Sequence, residues 1–194
     1  MRYHRTDIIE HAIGVLDQYG LADLSMRRIA AELGVQPSAL YHHFANKQAL
    51  LAAVADEILA RGTRRDEAPD VTWDQRVLSL CGELRNAMLA YRDGAELIST
   101  VHAFGLGARV PRGELAETIR SAGFDDSFSR AAATTILHFV FGQVSYEQMS
   151  LQAHSDGAID GTIDLPDGDA TDEFSLGLTL IVDGIRLRQP SYER

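Results

Sequence analysis

Apolar residues along this chain recur at helical rather than strand spacing almost throughout. Ile8, Ile9, Ala12, Ile13 and Leu16 fall three or four residues apart, Thr6 can cap the segment, and Tyr19-Gly20 closes it with a C-terminal glycine. Ser25 predicts the cap of a short helix, Met26 to Leu33, which buries Ile29, Ala30 and Leu33 and stops at Gly34. Pro37 suits the first turn of a third helix, where its missing N–H would lack a helical partner anyway, and Leu40 and Phe44 mark the inward face. Asn46 predicts the cap of a longer helix to about Arg65, with Leu50, Leu51, Val54, Ile58 and Leu59 along one side.

Asp66-Glu67-Ala68-Pro69-Asp70 then reads as a linker, and Thr72-Trp73-Asp74-Gln75 as a capping box opening a helix to about Arg92. Further helices are expected over 96–103, 112–122, 127–150 and 172–187, with Gly105 and Gly107 separating the first two and Gly123 ending the second. Residues 154–171, rich in Asp, Gly and Ser/Thr, lack a sustained period and read as a surface connection, in which Gly161-Thr162-Ile163-Asp164 can be locally extended. The expected fold class is all-α.

Composition narrows the class. A chain of 194 residues with 45% hydrophobic content can bury one ordinary core or two modest ones. The sole cysteine, Cys81, precludes an intramolecular disulfide and, without a C-x-x-C pair, speaks against structural zinc, so a reducing cytoplasm is expected. No apolar run approaches membrane-spanning length, and Met1-Arg2-Tyr3-His4-Arg5 leads straight into an amphipathic pattern without a signal core.

Charge is unevenly spread. The net charge is −10, yet residues 1–50 hold five Lys/Arg against five Asp/Glu, so the deficit belongs to the other 144 residues. Within 25–47, Arg27, Arg28 and Lys47 oppose only Glu32, leaving two net positive charges.

Two short helices joined by a glycine-containing turn and braced by a preceding helix form a unit that can insert its last member into the DNA major groove. The groove-facing side of the third helix would present Gln36, Ser38, Ala39, Tyr41, His42 and His43, mostly small or hydrogen-bonding groups.

The run Leu24-Ser25-Met26-Arg27-Arg28-Ile29-Ala30-Ala31-Glu32-Leu33-Gly34-Val35, followed by Leu40-Tyr41-His42-His43-Phe44 and Asn46-Lys47, resembles the DNA-binding signature of TetR-family transcriptional regulators. The resemblance implies that Arg27, Pro37, Ser38 and Ala39 occupy base-reading positions, and that Tyr41, His43 and Lys47 touch phosphates. The expected domains are a helix-turn-helix domain over 1–47 and an effector-binding and dimerisation domain over 48–194, with the helix over 46–65 connecting the two. Gln36-Pro37-Ser38 departs from the tetracycline repressors, so the operator does not carry over.

The resemblance extends to the tetracycline-repressor type of C-terminal domain through Trp73, Tyr91-Arg92-Asp93-Gly94-Ala95, Gly123-Phe124, His138-Phe139 with Gly142, and Phe174 with Leu176-Gly177-Leu178 through Gly184. It implies a homodimer in which helices 127–150 and 172–187 pair with their symmetry mates. The last helix is apolar on more than one face, which agrees.

The same resemblance implies a double-stranded DNA operator and a small-molecule effector as partners. Ile98 stands where those repressors carry a metal-binding His, Leu80 and Leu115 replace polar drug-fixing residues, and Leu84 replaces an aromatic one. His102 stands for an arginine, and His138 with Glu147, or Tyr146 in strict register, remains of the polar set. With Met88 and Phe141, these residues imply a mostly apolar effector, with no metal and no cofactor.

The competing class is a helical enzyme or metal protein using His102, His138 and Glu147, with His154 a further ligand type. No tight ligand spacing, phosphate loop or nucleophile elbow supports it, and Cys81 in the apolar run Val77-Leu78-Ser79-Leu80 is expected to be inert. No catalytic residue is assigned.

Overall fold

The computed structural model describes residues 3–62, 71–155 and 170–188, and every regular element within them is a helix. These are α1 (Arg5–Tyr19), α2 (Met26–Glu32), α3 (Pro37–Tyr41), α4 (Lys47–Gly62), α5 (Trp73–Leu89), α6 (Gly94–Ala103), α7 (Val110–Ser121), α8 (Asp126–Ser155) and α9 (Ala170–Arg186). The linker expected at 66–70, most of the connection expected at 154–171 and the end expected near Arg65 lie outside the described residues.

The caps explain the close agreement at the N-terminal end. Ser25 Oγ accepts from the Arg28 amide at 3.2 Å, Asn46 Oδ1 accepts from the Ala49 amide at 2.8 Å, and Pro37 opens α3. The Gly20 amide donates to Leu16 O at 2.8 Å with φ of 83°, the left-handed conformation that ends α1 at little steric cost. Thr6 is not the cap of α1. That position is His4, whose amide donates to Asp7 Oδ2 at 2.7 Å. The expected box at Thr72 forms in its reciprocal half, the Thr72 amide donating to Gln75 Oε1 at 3.2 Å.

α5 stops at Leu89 rather than Arg92, because the chain turns through Asp93, which adopts φ of 55° to cap α6. α8 continues past its expected end to Ser155.

Contacts divide the chain into two compact units, Met1–Thr63 with Asn86–Arg109, and Arg64–Arg85 with Val110–Arg194. In the first, α1 packs on α2 and α4, α2 on α3, and α4 on α6. Its core includes Ile8, Leu16, Ile29, Leu40, Phe44 and Ile58, all almost fully buried, and truncating one of these typically costs about 2–5 kcal/mol.

The turn between α5 and α6 is fastened to the end of α1. Asp93 Oδ2 accepts from the Leu21 amide at 2.7 Å, and Asp17 Oδ1 accepts from the Arg92 amide at 3.2 Å. Gly94 is required by space: a Cβ there would lie 2.5 Å from the Met88 carbonyl oxygen.

At the other end of α6, Ala108 adopts φ of 54°, its amide donates to Asp56 Oδ1 of α4 at 2.8 Å, and its carbonyl lies 2.9 Å from His102 Nδ1. α6 is therefore tied to α1 at its start and to α4 at its end.

In the second unit α8 packs on α7 and α9. Phe124 meets Trp73 edge-on with centroids 5.7 Å apart and stacks on Phe128 at 5.0 Å, while Phe139 stacks on Phe174 at 5.8 Å. A Cβ at Gly177 would come within 2.6 Å of the Phe139 ring, so glycine is what lets that ring lie against α9.

Candidate nucleic-acid interface and effector residues

Helix-turn-helix geometry sorts residues 36–47 into two faces. Leu40 and Phe44 are buried, while Gln36, Ser38, Tyr41, His42 and His43 are exposed and Pro37, Ala39 and Lys47 half-buried. Arg27, at the start of α2, is exposed as well. The residues expected to face a groove thus share an outward surface, because α3 is a single short helix held by its two inward apolar residues. Tyr41 keeps 53% of its surface accessible, which a core aromatic would not.

The cations around this surface fall into two groups. Arg28 lies 3.8 Å from Asp23 and 3.6 Å from Glu32, and its guanidinium carbon sits 3.6 Å from the Tyr19 ring centroid. It is part of the scaffold, not of the outward positive charge counted from sequence. Arg61 is likewise bonded to Glu10, Glu57 and Tyr91, and its guanidinium holds the Glu10 carboxyl below the usual carboxylate range. By contrast, no carboxylate among the described residues lies at ion-pair distance from Arg5, Arg27 or Lys47.

Arg5 did not emerge from the sequence pattern. Its guanidinium carbon lies 4.6 Å from the centroid of Phe44, three residues past the end of α3. Periodicity carries no trace of a contact between positions 5 and 44.

The residues implied for effector binding divide between the two units. In the first, Met88 and Ile98 are fully buried, and half-buried His102 is engaged with Ala108 O. In the second, Leu80, Leu84 and Leu115 are buried and Phe141 half-buried.

The polar members of the second unit behave differently from one another. Glu147 is buried and bound through both carboxylate oxygens by Arg85, with Nε donating at 2.9 Å and Nη2 to the other oxygen. Arg85 Nη2 also donates to Thr171 Oγ1 at 3.3 Å, and the guanidinium carbon lies 5.5 Å from the Phe174 centroid. Sequence pattern offered no sign of this partner, which comes from α5. His138 and Tyr146 are exposed on α8, aligned with Gly142 and Met149 at helical spacing.

That stripe has a counterpart on α9. Leu176, Leu180 and Leu187 are 63%, 65% and 88% accessible, a run of large apolar side chains that a helix buried in its own chain would not leave in water.

Within the second unit, the two residues proposed for an enzyme are held apart. His138 and Glu147 stand nine residues apart on α8, about 13 Å of helix rise, and Glu147 is taken by Arg85. Side chains of His154 and Ser155 are outside the described set, and no group of three or more potential metal ligands occurs among the described residues. Burial raises the Cys81 thiol to about 12, which keeps it protonated near neutrality.

Residues 8–54 match the family model for bacterial regulatory proteins of the tetR family, and residues 67–165 match that for the tetracyclin repressor-like C-terminal domain. The tetracycline repressor protein class A from transposon 1721 of Escherichia coli is 34% identical over 199 residues, spanning 94% of this chain and 90% of the repressor. Among solved structures, Mycobacterium smegmatis BioQ superposes with a TM-score of 0.85 at 41% identity, covering 95% of this chain and 98% of BioQ. A BioQ structure with its double-stranded DNA operator superposes with a TM-score of 0.78 at 39% identity, covering 94% of this chain and 98% of that one.

Proposed function

The chain belongs to the TetR family of bacterial regulatory proteins and is a ligand-responsive, DNA-binding transcriptional regulator; we propose that it is a repressor released from a palindromic operator by a small, mostly apolar effector. The observation that carries the DNA-binding half is the outward surface of α3, flanked by the exposed cation Arg27 and by Lys47, neither at ion-pair distance from a carboxylate among the described residues, in a chain of net charge −10. An acidic protein gains little from leaving cations uncompensated on one face unless that face meets an anion.

In this reading Arg27, Pro37, Ser38 and Ala39 approach base edges. Tyr41, His43 and Lys47 approach the backbone, where the N-terminus of α4 favours a phosphate, and His42 belongs to the same groove-facing side. Residues 1–47 serve as the DNA-binding domain and 48–194 as the effector-binding and dimerisation domain, although in packing α4 and residues 86–109 stand with the first.

The protein acts as a homodimer through α8 and α9, and the exposed apolar side chains Tyr146, Met149 and Leu151 on α8 and Leu176 and Leu180 on α9 support the reading. No described helix is long and apolar enough to cross a membrane, and the site of action is the cytoplasm.

Effector binding is assigned to Leu80, Leu84, Met88, Ile98, Leu115 and Phe141, with His102, His138, Tyr146 and Glu147 as the polar members. Ile98 cannot ligate a metal, and Arg85 already neutralises Glu147, so this set offers magnesium no uncompensated carboxylate. The ligand it suits is apolar or aromatic with few polar groups.

Unbiased selection of bound duplexes from a random library tests the whole proposal. Enrichment of a palindrome with half-sites about one helical turn, roughly 34 Å, apart is the expected result. Recovery of random sequence at every salt concentration would refute it.

A further inference from the structure

Two helices of the first unit open with a cation. Lys47 is the first residue of α4 and Arg5 the first of α1. At that position the peptide dipoles present partial positive charge, so Lys or Arg is unfavourable there and acidic residues are preferred. Neither side chain has an ion-pair partner among the described residues to offset this. The acid nearest in sequence to Arg5, Asp7, spends its Oδ2 on the His4 amide at 2.7 Å. The helix dipole and the neighbouring side-chain charges therefore give no reason for Arg5 to be a cation, whereas an anion placed beyond the helix end would.

The start of α1 is also aimed. Tyr3 donates its hydroxyl to the Leu33 carbonyl at 3.0 Å, tying the chain just before α1 to the end of α2. Arg5 lies exposed over the Phe44 ring, 4.6 Å from its centroid, and Phe44 follows His43 directly and precedes Lys47 by three residues. The planar guanidinium can stack on the ring and keep its outer N–H groups for a second partner.

We infer that Arg5 is a DNA phosphate contact, a guanidinium held on the Phe44 ring beside the turn that carries His43 and Lys47. The inference rests on the DNA-binding reading above and adds an anchor from α1 to those from α3 and α4. A cation fixed on a buried ring arrives at the phosphate with its orientation already set, and neutralising that phosphate releases a counterion.

The test is the salt dependence of binding to a labelled mixed-sequence duplex, measured for the wild type, Arg5→Gln, Arg5→Lys, Lys47→Gln and, as a distant control, Arg120→Gln. Each phosphate contact contributes about 0.9 to the slope of log K against log salt. Because each protomer of the dimer loses one contact, Arg5→Gln is expected to flatten the slope by about twice that amount, as Lys47→Gln does, and Arg5→Lys to restore it, while Arg120→Gln leaves it unchanged. The melting temperature of Arg5→Gln should change little, since relief at the helix N-terminus offsets the lost contact with the Phe44 ring.

A wild-type slope in Arg5→Gln beside a flattened one in Lys47→Gln overturns the inference and leaves the DNA-binding reading intact. A lowered melting temperature with no rescue by Arg5→Lys assigns Arg5 to packing on Phe44 and also overturns it. Wild-type protein that binds no duplex refutes the DNA-binding reading and the inference with it.

Discussion

At the scale of single residues, the proposed interface assigns Arg27 to base edges and Tyr41 and Lys47 to the DNA backbone. Arg27→Ala should cost roughly 1–3 kcal/mol and relax preference at one operator position, because an arginine can pair bidentately with a guanine edge. Selected-sequence profiles before and after substitution check this, and an unaltered preference would reduce Arg27 to a phosphate contact. Tyr41→Ala should instead weaken all duplexes alike. Cys81 gives a prediction of another kind: buried and held protonated by desolvation, it should resist iodoacetamide in the native protein at neutral pH and react on unfolding. Rapid labelling of native protein would show that the α5 core opens readily.

What the sequence revealed at this scale depended on range. Ser25, Asn46, Pro37 and Gly20 were legible because each acts on neighbours within a turn. The Arg85–Glu147, Asp56–Ala108 and Arg5–Phe44 contacts join positions far apart in the chain, and no local pattern distinguishes such an Asp or Arg from a solvated one. Arg28 was misleading for a local reason: Asp23, just outside the 25–47 window in which charge was counted, shares it with Glu32.

Among the elements, α6 carries the account of signalling. Its start is fastened to α1 through Asp93 and its end to α4 through Asp56, so a displacement of α6 has two attachments through which to act on the DNA-binding helices. We take the segment after α6 as a hinge, although its two glycines have different reasons to be glycine. Gly105 has φ of 67°, whereas a Cβ at Gly107 would come within 3.3 Å of Val101, Asp56 and Ala52. Ala108, with φ of 54°, is the left-handed residue that the sequence concealed, because alanine signals no turn.

Replacing both glycines by alanine should leave operator binding intact but blunt release by effector, which titrating effector against a preformed complex would show; ordinary release would remove the hinge. At the other face of the molecule's second unit, Leu176→Glu with Leu180→Glu should place charge on the stripe of α9 and yield monomers by sedimentation at micromolar concentration. A dimer that survives this change does not use α9. The helices themselves were readable to within a few residues because a 3.6-residue period survives any tertiary context. The end of α5 was not, since the tertiary bond from Asp93 to Leu21 sets it.

For the molecule as a whole, effector and operator must be linked reciprocally: a ligand that weakens DNA binding is weakened by DNA to the same degree. The effector is expected to be apolar, since apolar walls leave a polyhydroxylated chelate's hydrogen bonds unmade at about 1–3 kcal/mol for each buried polar group. Calorimetry should therefore detect no submicromolar, magnesium-dependent binding of tetracycline, and such binding would overturn the assignment of Ile98 and the leucines. The central claim, that an acidic helical protein reads a palindrome through one small outward surface, is met most directly by titrating the protein against the duplex of its own upstream region at several salt concentrations. Two chains per duplex, a steep decline of affinity with salt and an advantage over scrambled sequence of about a thousandfold or more are the predicted result. Binding that is indifferent to sequence, or one chain per site, would contradict it.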